Sequence, residues 1–425
     1  MPRLASLVSS DRLFAARQLA QLGLFANAVR PVHLPGTAVP AFFAGWPASE
    51  LAPHIGTLCA LDAGTHLTRR GVRSRTDVLG LVAAAANVGS AAWLATGSRR
   101  AGAEIEDALQ ETLGADYAER IERPALPDDD AARWQSLAMP FRVHNASVAI
   151  ERNIPYAEGG KRFELDVYYR ADLPPDAPVL LQIHGGAWMF GSKDHQGVPL
   201  MLHMAARGWV CVAINYPLSP KSRWPAHLVA AKQAMAWIRE HGHRYGADPT
   251  FVATTGGSAG GHLASLVALT AGDASLQPGF EDADTSVQAC VPHYGVYDFT
   301  EEGGARSATE RLQTVVRPKV MSRDAVYPDD YRAASPLSRI GPDAPPFLVV
   351  HGTNDTLVPV AEAREFVAKL RETSRSPVAY AEIAGAQHAF DIFPSLRSAH
   401  VVRGVARFLE WCHATRAERP AAPQH

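Results

Sequence analysis

Cysteine is scarce and never paired. Cys59, Cys211, Cys290 and Cys412 are the four in 425 residues, and no CxxC or CxxH spacing links them. A disulfide framework and a zinc ribbon are therefore excluded, and no metal is expected. Cys211 and Cys290 sit in apolar runs, as buried thiols do. Net charge is also nearly absent: 41 Lys and Arg stand against 43 Asp and Glu, for a formal −2. That balance supplies no general attraction to nucleic acid, so no nucleic-acid partner is expected. The amino terminus lacks a long apolar stretch, because Arg3, Asp11, Arg12 and Arg17 interrupt it. No clean cleavage site follows, so no cleavable signal is expected and the location reads as cytoplasmic or membrane-associated. Internal repeats are missing too.

One segment lacks charge altogether. Residues 78–98, "VLGLVAAAANVGSAAWLATGS", carry none across 21 positions. That length suffices to span a bilayer, yet alanine, glycine and Asn87 make its apolar drive weak. A buried or dimer-forming helix competes with membrane contact as the reason for it. An earlier apolar run, 38–61, is broken by three prolines. Between the two lie Arg69, Arg70, Arg73 and Arg75, which suit either anionic headgroups or a solvated loop.

The chain changes character near residue 124. Before it, alanine- and leucine-rich sequence predicts a helical region over 1–123, whose open roles are shielding a pocket, docking on lipid or forming a homodimer contact. Residues 123–135, "RPALPDDDAARWQ", read as a linker, with Asp128 to Asp130 near a helix start, inside a linker or cap segment of 124–144. From 145 to 413, short apolar runs alternate with amphipathic stretches, the pattern of βαβ units. "SVAIERNIPY" and "FELDVYYR" predict an antiparallel pair. "APVLLQIHGG", "WVCVAINY", "TFVATTGG", "VQACVPHYG", "PFLVVHG" and "VAYAEI" predict further strands, the apolar ones buried on both faces. Residues 414–425 read as a flexible tail.

Within this rhythm "TTGGSAGGH" (254–262) places Ser258 between a predicted strand and a predicted helix. A nucleophile on so sharp a turn needs glycine or alanine beside it, and Gly256, Ala259, Gly260 and Gly261 supply that. The hydroxyl needs a base, and the base needs an orienting acid. Asp355 in "VVHGTNDTLVP" and His388 in "AGAQHAFD" each follow a predicted strand, in the order Ser, Asp, His that a hydrolase sheet uses. Asp298 is a rival acid, though it comes one strand early. His351, His293 and His262 are rival bases. "HGGAW" follows another strand and offers the N–H groups of Gly185 and Gly186, with that of Ala259, as a three-donor oxyanion hole. Trp188 is either a wall of the substrate pocket or a packed core residue. His184 reads as structural, and Asp194 and His195 as solvated. The segment 299–331 is an insertion suited to lining an acyl or alcohol pocket.

"LLQIHGGAWMFGS", "VAINYPLSPKSRWPAHL", "TTGGSAGGHLA", "ASPLSRI", "FLVVHGTNDTLVPV" and "GAQHAF" together resemble the hormone-sensitive-lipase-like carboxylesterases of the α/β-hydrolase fold, over about 145–413. The resemblance implies a mostly parallel central sheet with helices on both faces, preceded here by the helical amino-terminal region. It also implies Ser258, Asp355 and His388 as a triad, Gly185 and Gly186 as oxyanion donors, a small-molecule or lipid ester as substrate, and no cofactor. Two departures stand out. GGSAGG replaces the family's usual GDSAGG, and Ala187 and Trp188 follow the first two glycines of the oxyanion motif. Both variants are similar to feruloyl-esterase and arylformamidase-like relatives, so amidase chemistry with the same triad is the rival activity. A hydrolase fold kept only as a binding module is a more distant one.

Overall fold

Along a strand, successive side chains point to opposite faces, and here both faces are apolar. Strand β3 (Ala177–Ile183) is buried throughout: Val179, Leu181 and Ile183 join one core and Leu180 the other. Strand β7 (Phe347–Gly352) repeats the division, with Phe347 and Val349 on one side and Leu348 and Val350 on the other. Such strands need helices on both sides. These observations come from a computed structural model that describes residues 10–32, 34, 36–121, 138–172, 176–300 and 311–418. The expected linker at 123–135 with Asp128 to Asp130, the first part of the 299–331 insertion and most of the expected tail lie outside the described residues.

The sheet has eight strands in the order β1-β2-β4-β3-β5-β6-β7-β8. Strands β1 (Ala149–Pro155) and β2 (Glu164–Tyr169) form the expected antiparallel pair, and β2 is also antiparallel to β4 (Val210–Ile214). Strands β3, β4, β5 (Ala247–Gly257), β6 (Ala289–His293), β7 and β8 (Val378–Ile383) run parallel. The carboxyl ends of the parallel strands therefore all open toward one edge, where ligands bind in such sheets.

Four helices precede the sheet: α1 (Ser10–Val29), α2 (Ala38–Glu50), α3 (Ala52–Arg70) and α4 (Arg75–Leu113). Within the sheet domain come α5 (Val198–Ala206), α6 (Ala226–His241), α7 (Ala259–Leu269), the short α8 (Asp329–Ala333), α9 (Val360–Thr373) and α10 (Leu396–Ala414). Leu228 and Ile238 of α6, Leu263 of α7 and Phe366 of α9 pack on one face. Met201 of α5, Val405 and Phe408 of α10 and Ile105 of α4 pack on the other. Helix α5 gives no clear amphipathic signal in the sequence, since six of its nine residues are buried.

The uncharged run of 78–98 is the first half of α4, a helix of 39 residues and so roughly 58 Å long. A capping box starts it, with the Ser74 N–H donating to Asp77 Oδ2 at 2.7 Å and the Asp77 N–H to Ser74 Oγ at 3.1 Å. Its small residues serve close helix contact. A β-carbon on Gly56 of α3 would come 2.5 Å from Ala91 of α4. Asn87, the polar exception, is fully buried and donates to both the carbonyl and the side-chain oxygen of Gln18, at 2.9 Å each. The second half of α4 packs on α10 and β8, so a single rod joins the amino-terminal helices to the sheet.

Polar contacts make the same connection nearer the open edge. Glu50 at the end of α2 pairs with Arg397 of α10 and accepts from Ser395 Oγ at 2.8 Å, and all three residues are buried. Removing one member of such a pair strands the other charge without water. Glu50→Ala is expected to lower unfolding free energy by about 3–5 kcal/mol, whereas Glu50→Leu with Arg397→Met is expected to cost much less. Urea titrations of the two variants check this. A single variant within about 1 kcal/mol of wild type would show that water reaches the pair.

Candidate active site

Strand β5 ends at Gly257, helix α7 begins at Ala259, and Ser258 makes the whole connection. Its φ of 58° and ψ of −122° are unfavourable for a residue with a side chain. What holds it there is backbone crowding. A β-carbon on Gly256 would lie 2.5 Å from the Ile183 carbonyl, and one on Gly260 would collide with the same oxygen. The first turn of α7 thus presses directly on the end of β3. The Ser258 N–H donates to the His293 carbonyl at 3.0 Å, which ties the turn to the end of β6 as well.

Asp355 and His388 occupy loops after β7 and β8, at the same edge of the sheet. His388 Nδ1 lies 2.7 Å from Asp355 Oδ2, and both side chains are almost fully buried. The other carboxylate oxygen accepts the N–H groups of Leu357 at 2.9 Å and Val358 at 2.8 Å. His351 Nε2 stands 3.3 Å from Oδ2 and 2.9 Å from the Val358 carbonyl. Burial pushes the Asp355 carboxyl up, but the rings of His388 and His351 outweigh it, and the group sits well below the usual carboxylate range. Gln387 fastens the two loops together: its Oε1 accepts the N–H groups of Thr356 and His388, each at 2.9 Å.

The loop that carries Gly185 and Gly186 follows β3. Gly186 has φ +114°, and a β-carbon there would strike the Phe190 carbonyl, so glycine is required. Gly185 borders Ser258 closely, since a β-carbon on it would lie 3.2 Å from Ser258 Cβ. Its N–H, however, donates to Gln196 Oε1 at 2.6 Å and so points to a side chain of its own protein. The N–H groups of Gly186 and Ala259 have no acceptor among the described residues. His184 stacks on Tyr216 at 4.3 Å, and burial depresses its imidazole to about 4, which suits a structural neutral ring. Trp188, considered for the pocket wall, is only 2% exposed. Its indole N–H donates to His262 Nδ1 at 3.3 Å and its ring meets Phe299 edge-on, so packing behind the loop accounts for it.

The rival residues have other partners. Asp298 accepts from the Thr300 N–H and hydroxyl at 2.8 Å, which closes a local turn. His262 bonds the Ala334 carbonyl at 2.8 Å, and burial lowers its imidazole to about 3. His293 Nδ1 lies 2.8 Å from Asp391 Oδ2. Asp391, Gln196 and Tyr294 give no signal in the sequence, because none belongs to a motif with a fixed spacing, and Gln387 is passed over although it stands inside "GAQHAF". Phe42 gives none either. This residue of α2 stands 6.0 Å edge-on from the His388 ring, and Trp46, Phe393 and Phe141 continue a row of aromatic contacts outward from it. The departure at Gly257 acquires a cause: a β-carbon there would lie 2.6 Å from the Tyr294 hydroxyl.

Known proteins match this chain in sequence and fold. The BD-FAE family profile covers residues 165–370. The chain is 44% identical over 397 residues to the probable carboxylic ester hydrolase LipM of Mycobacterium tuberculosis, covering 92% of this chain and 90% of that protein. It is 44% identical over 318 residues to esterase LipQ of the same organism, covering 73% and 75%. Among solved structures, an inhibited esterase B from Lactobacillus rhamnosis has the same fold, with a TM-score of 0.54 at 19% identity over 68% of this chain and 93% of that one. Near-complete coverage by a relative at this identity decides the matter: the chain belongs to the hormone-sensitive-lipase-like carboxylic ester hydrolases of the α/β-hydrolase fold.

Proposed function

We propose that ester cleavage runs through Ser258, His388 and Asp355. The carrying observation is the 2.7 Å contact of His388 with a buried, ionised Asp355, at the edge where β5 presents Ser258 on its strained turn. Ser258 Oγ attacks the ester carbonyl carbon while His388 takes the hydroxyl proton, and the carbonyl oxygen becomes an oxyanion. Collapse of that intermediate expels the alcohol, which leaves with the proton from His388, and an acyl-enzyme remains. Water then attacks by the same route and frees the acid. Asp355 holds the imidazole so that Nδ1 carries its proton and Nε2 is left to act as base. Gly186 and Ala259 offer N–H donors to the oxyanion, and Gly185 adds a third when its bond to Gln196 opens.

Ser258→Ala is expected to reduce kcat/KM on p-nitrophenyl esters by roughly 10⁵-fold or more and to prevent fluorophosphonate labelling, with circular dichroism unchanged. Near-wild-type turnover would remove Ser258 from the reaction, and unlabelled wild-type protein would favour a binding module. Faster turnover of a formanilide than of short-chain esters would favour the amidase reading. Asp355→Asn presents an amide N–H to Nδ1 and enforces the wrong tautomer. Its expected kcat loss is about 10⁴-fold, measured on the same esters. A loss below tenfold would assign the orienting role elsewhere.

We also propose that the amino-terminal helices rest on an anionic lipid surface. Leu58 and Leu61 of α3 and Val82 and Trp93 of α4 are each more than 60% exposed. Around the α3–α4 turn, Arg69, Arg70, Arg73 and Arg75 are exposed, and none forms an ion pair among the described residues. An apolar face with a cationic border fits acyl chains beneath acidic headgroups. The opposite side of α4 is committed to α1 and α3, which favours lying on a bilayer over crossing it. The full chain is expected to sediment with phosphatidylcholine vesicles containing phosphatidylglycerol, and Trp93→Asp or reversal of the four arginines is expected to release it. Failure to sediment, or a stable dimer that buries Trp93, would overturn this reading.

A further inference from the structure

We infer that Tyr294 and Asp391 position His388, and that Tyr294 does so from the space a side chain at residue 257 would need. Tyr294 directly follows β6 and has φ 37°, a left-handed conformation that is strained for an aromatic residue. The conformation sends its hydroxyl over Gly257, where a β-carbon would come 2.6 Å from the hydroxyl oxygen and 2.7 Å from the ring. No side chain fits at 257 while Tyr294 keeps this place. The acid common at that position in related hydrolases is thus excluded by shape.

The hydroxyl donates to Asp391 Oδ1, three residues beyond His388 on the same loop. The tyrosine ring lies 4.7 Å from the His388 ring and 5.6 Å from Phe390. Asp391 also faces His293 Nδ1 at 2.8 Å, and the His293 carbonyl accepts the Ser258 N–H. Burial raises the Asp391 carboxyl, but His293 and Tyr294 more than offset this, so it stays an anion and an acceptor. Burial first, and Asp391 second, push the Tyr294 phenol far above its ordinary value, so it stays a donor. Residues 293 and 294 therefore hold the nucleophile turn through a backbone bond and the histidine loop through a part-buried side-chain bond. Ala389, between His388 and Asp391, also has a positive φ of 59°. The loop needs an external restraint on the side away from Asp355, and Asp391 provides its attachment.

The bond acts through geometry: Tyr294 fixes how far the His388 ring stands from the Ser258 turn. Displacements approaching 1 Å cost up to about 100-fold in rate. The inference rests on His388 being the base, and fluorophosphonate labelling of wild-type protein tests that premise separately. Tyr294→Phe and Asp391→Asn, made in the full chain, are expected to lower kcat on p-nitrophenyl acetate by about 10- to 100-fold with KM changed by less than about threefold. Tyr294→Ala is expected to lose more. Adding Gly257→Asn to Tyr294→Ala opens a second route, because an amide at 257 can donate to Asp391 from the vacated space. That pair is expected to regain at least about tenfold in kcat, whereas Gly257→Asp with Tyr294→Ala places two carboxylates together and regains nothing. Unchanged kcat in Tyr294→Phe would reduce the residue to packing. A raised KM at constant kcat would make it a substrate contact instead. Either result overturns the inference, as does equal recovery with Asn and Asp at 257.

Discussion

The approach of α7 to the end of β3 governs the rest of the site. With the Ile183 carbonyl against Gly256 and Gly260, no side chain can be inserted between helix and sheet. This contact keeps the strand-to-helix connection down to one residue, and the one residue must then accept a positive φ. The same contact brings β3's own continuation, the Gly185 and Gly186 loop, alongside Ser258. The places of Ser258, Gly185 and Gly186 are therefore consequences of one backbone contact. A larger residue at 260 would move both together.

His388 and Asp355 arrive by a different logic. They come from loops, where backbone geometry alone leaves many positions open. Side-chain contacts narrow those positions: Gln387 brackets Thr356 and His388, His351 braces Asp355, and Asp391 reaches back to His293 and Tyr294. Even the amino-terminal helices take part, since Asn354 donates to the Ala28 carbonyl at 3.0 Å and Thr356 Oγ1 to that of Ala38 at 2.9 Å. The loop carrying Asp355 is thus held by the sheet on one side and by the helical region on the other. That region is structurally continuous with the site, whatever surface its outer face meets.

How much of this was legible depends on whether a residue's role repeats at fixed spacing. The strands were visible because short apolar runs bounded by glycine or polar turns fit little else in a βαβ rhythm. Ser258, Gly185 and Gly186 were visible because close backbone approach demands glycine in a short pattern. Asp355 and His388 followed from strand order. Helix α5 was not visible, because burial on nearly all sides removes the polar face that marks a helix. The uncharged run of α4 stayed ambiguous for a related reason: small apolar residues suit a bilayer and a tight helix pair equally well. Asn87 settles part of that ambiguity only once Gln18 is seen beside it. Tyr294 and Asp391 lie 97 positions apart, and nothing local connects them.

Gln196 gives a buried backbone donor beside Ser258 an acceptor within the protein itself. Backbone N–H groups aimed into a buried site lose their water and gain nothing until a substrate arrives. Gln196 gives the Gly185 N–H an acceptor at 2.6 Å, while the N–H groups of Gly186 and Ala259 have none among the described residues. A carbonyl that used all three donors would have to displace the glutamine oxygen, whereas one that used two would leave it in place. In enzymes that use such donors, removing one costs about 2.7–4 kcal/mol. The resting structure therefore satisfies one donor without spending the other two, and the strain at Ser258 is carried by backbone that has no alternative way to pack.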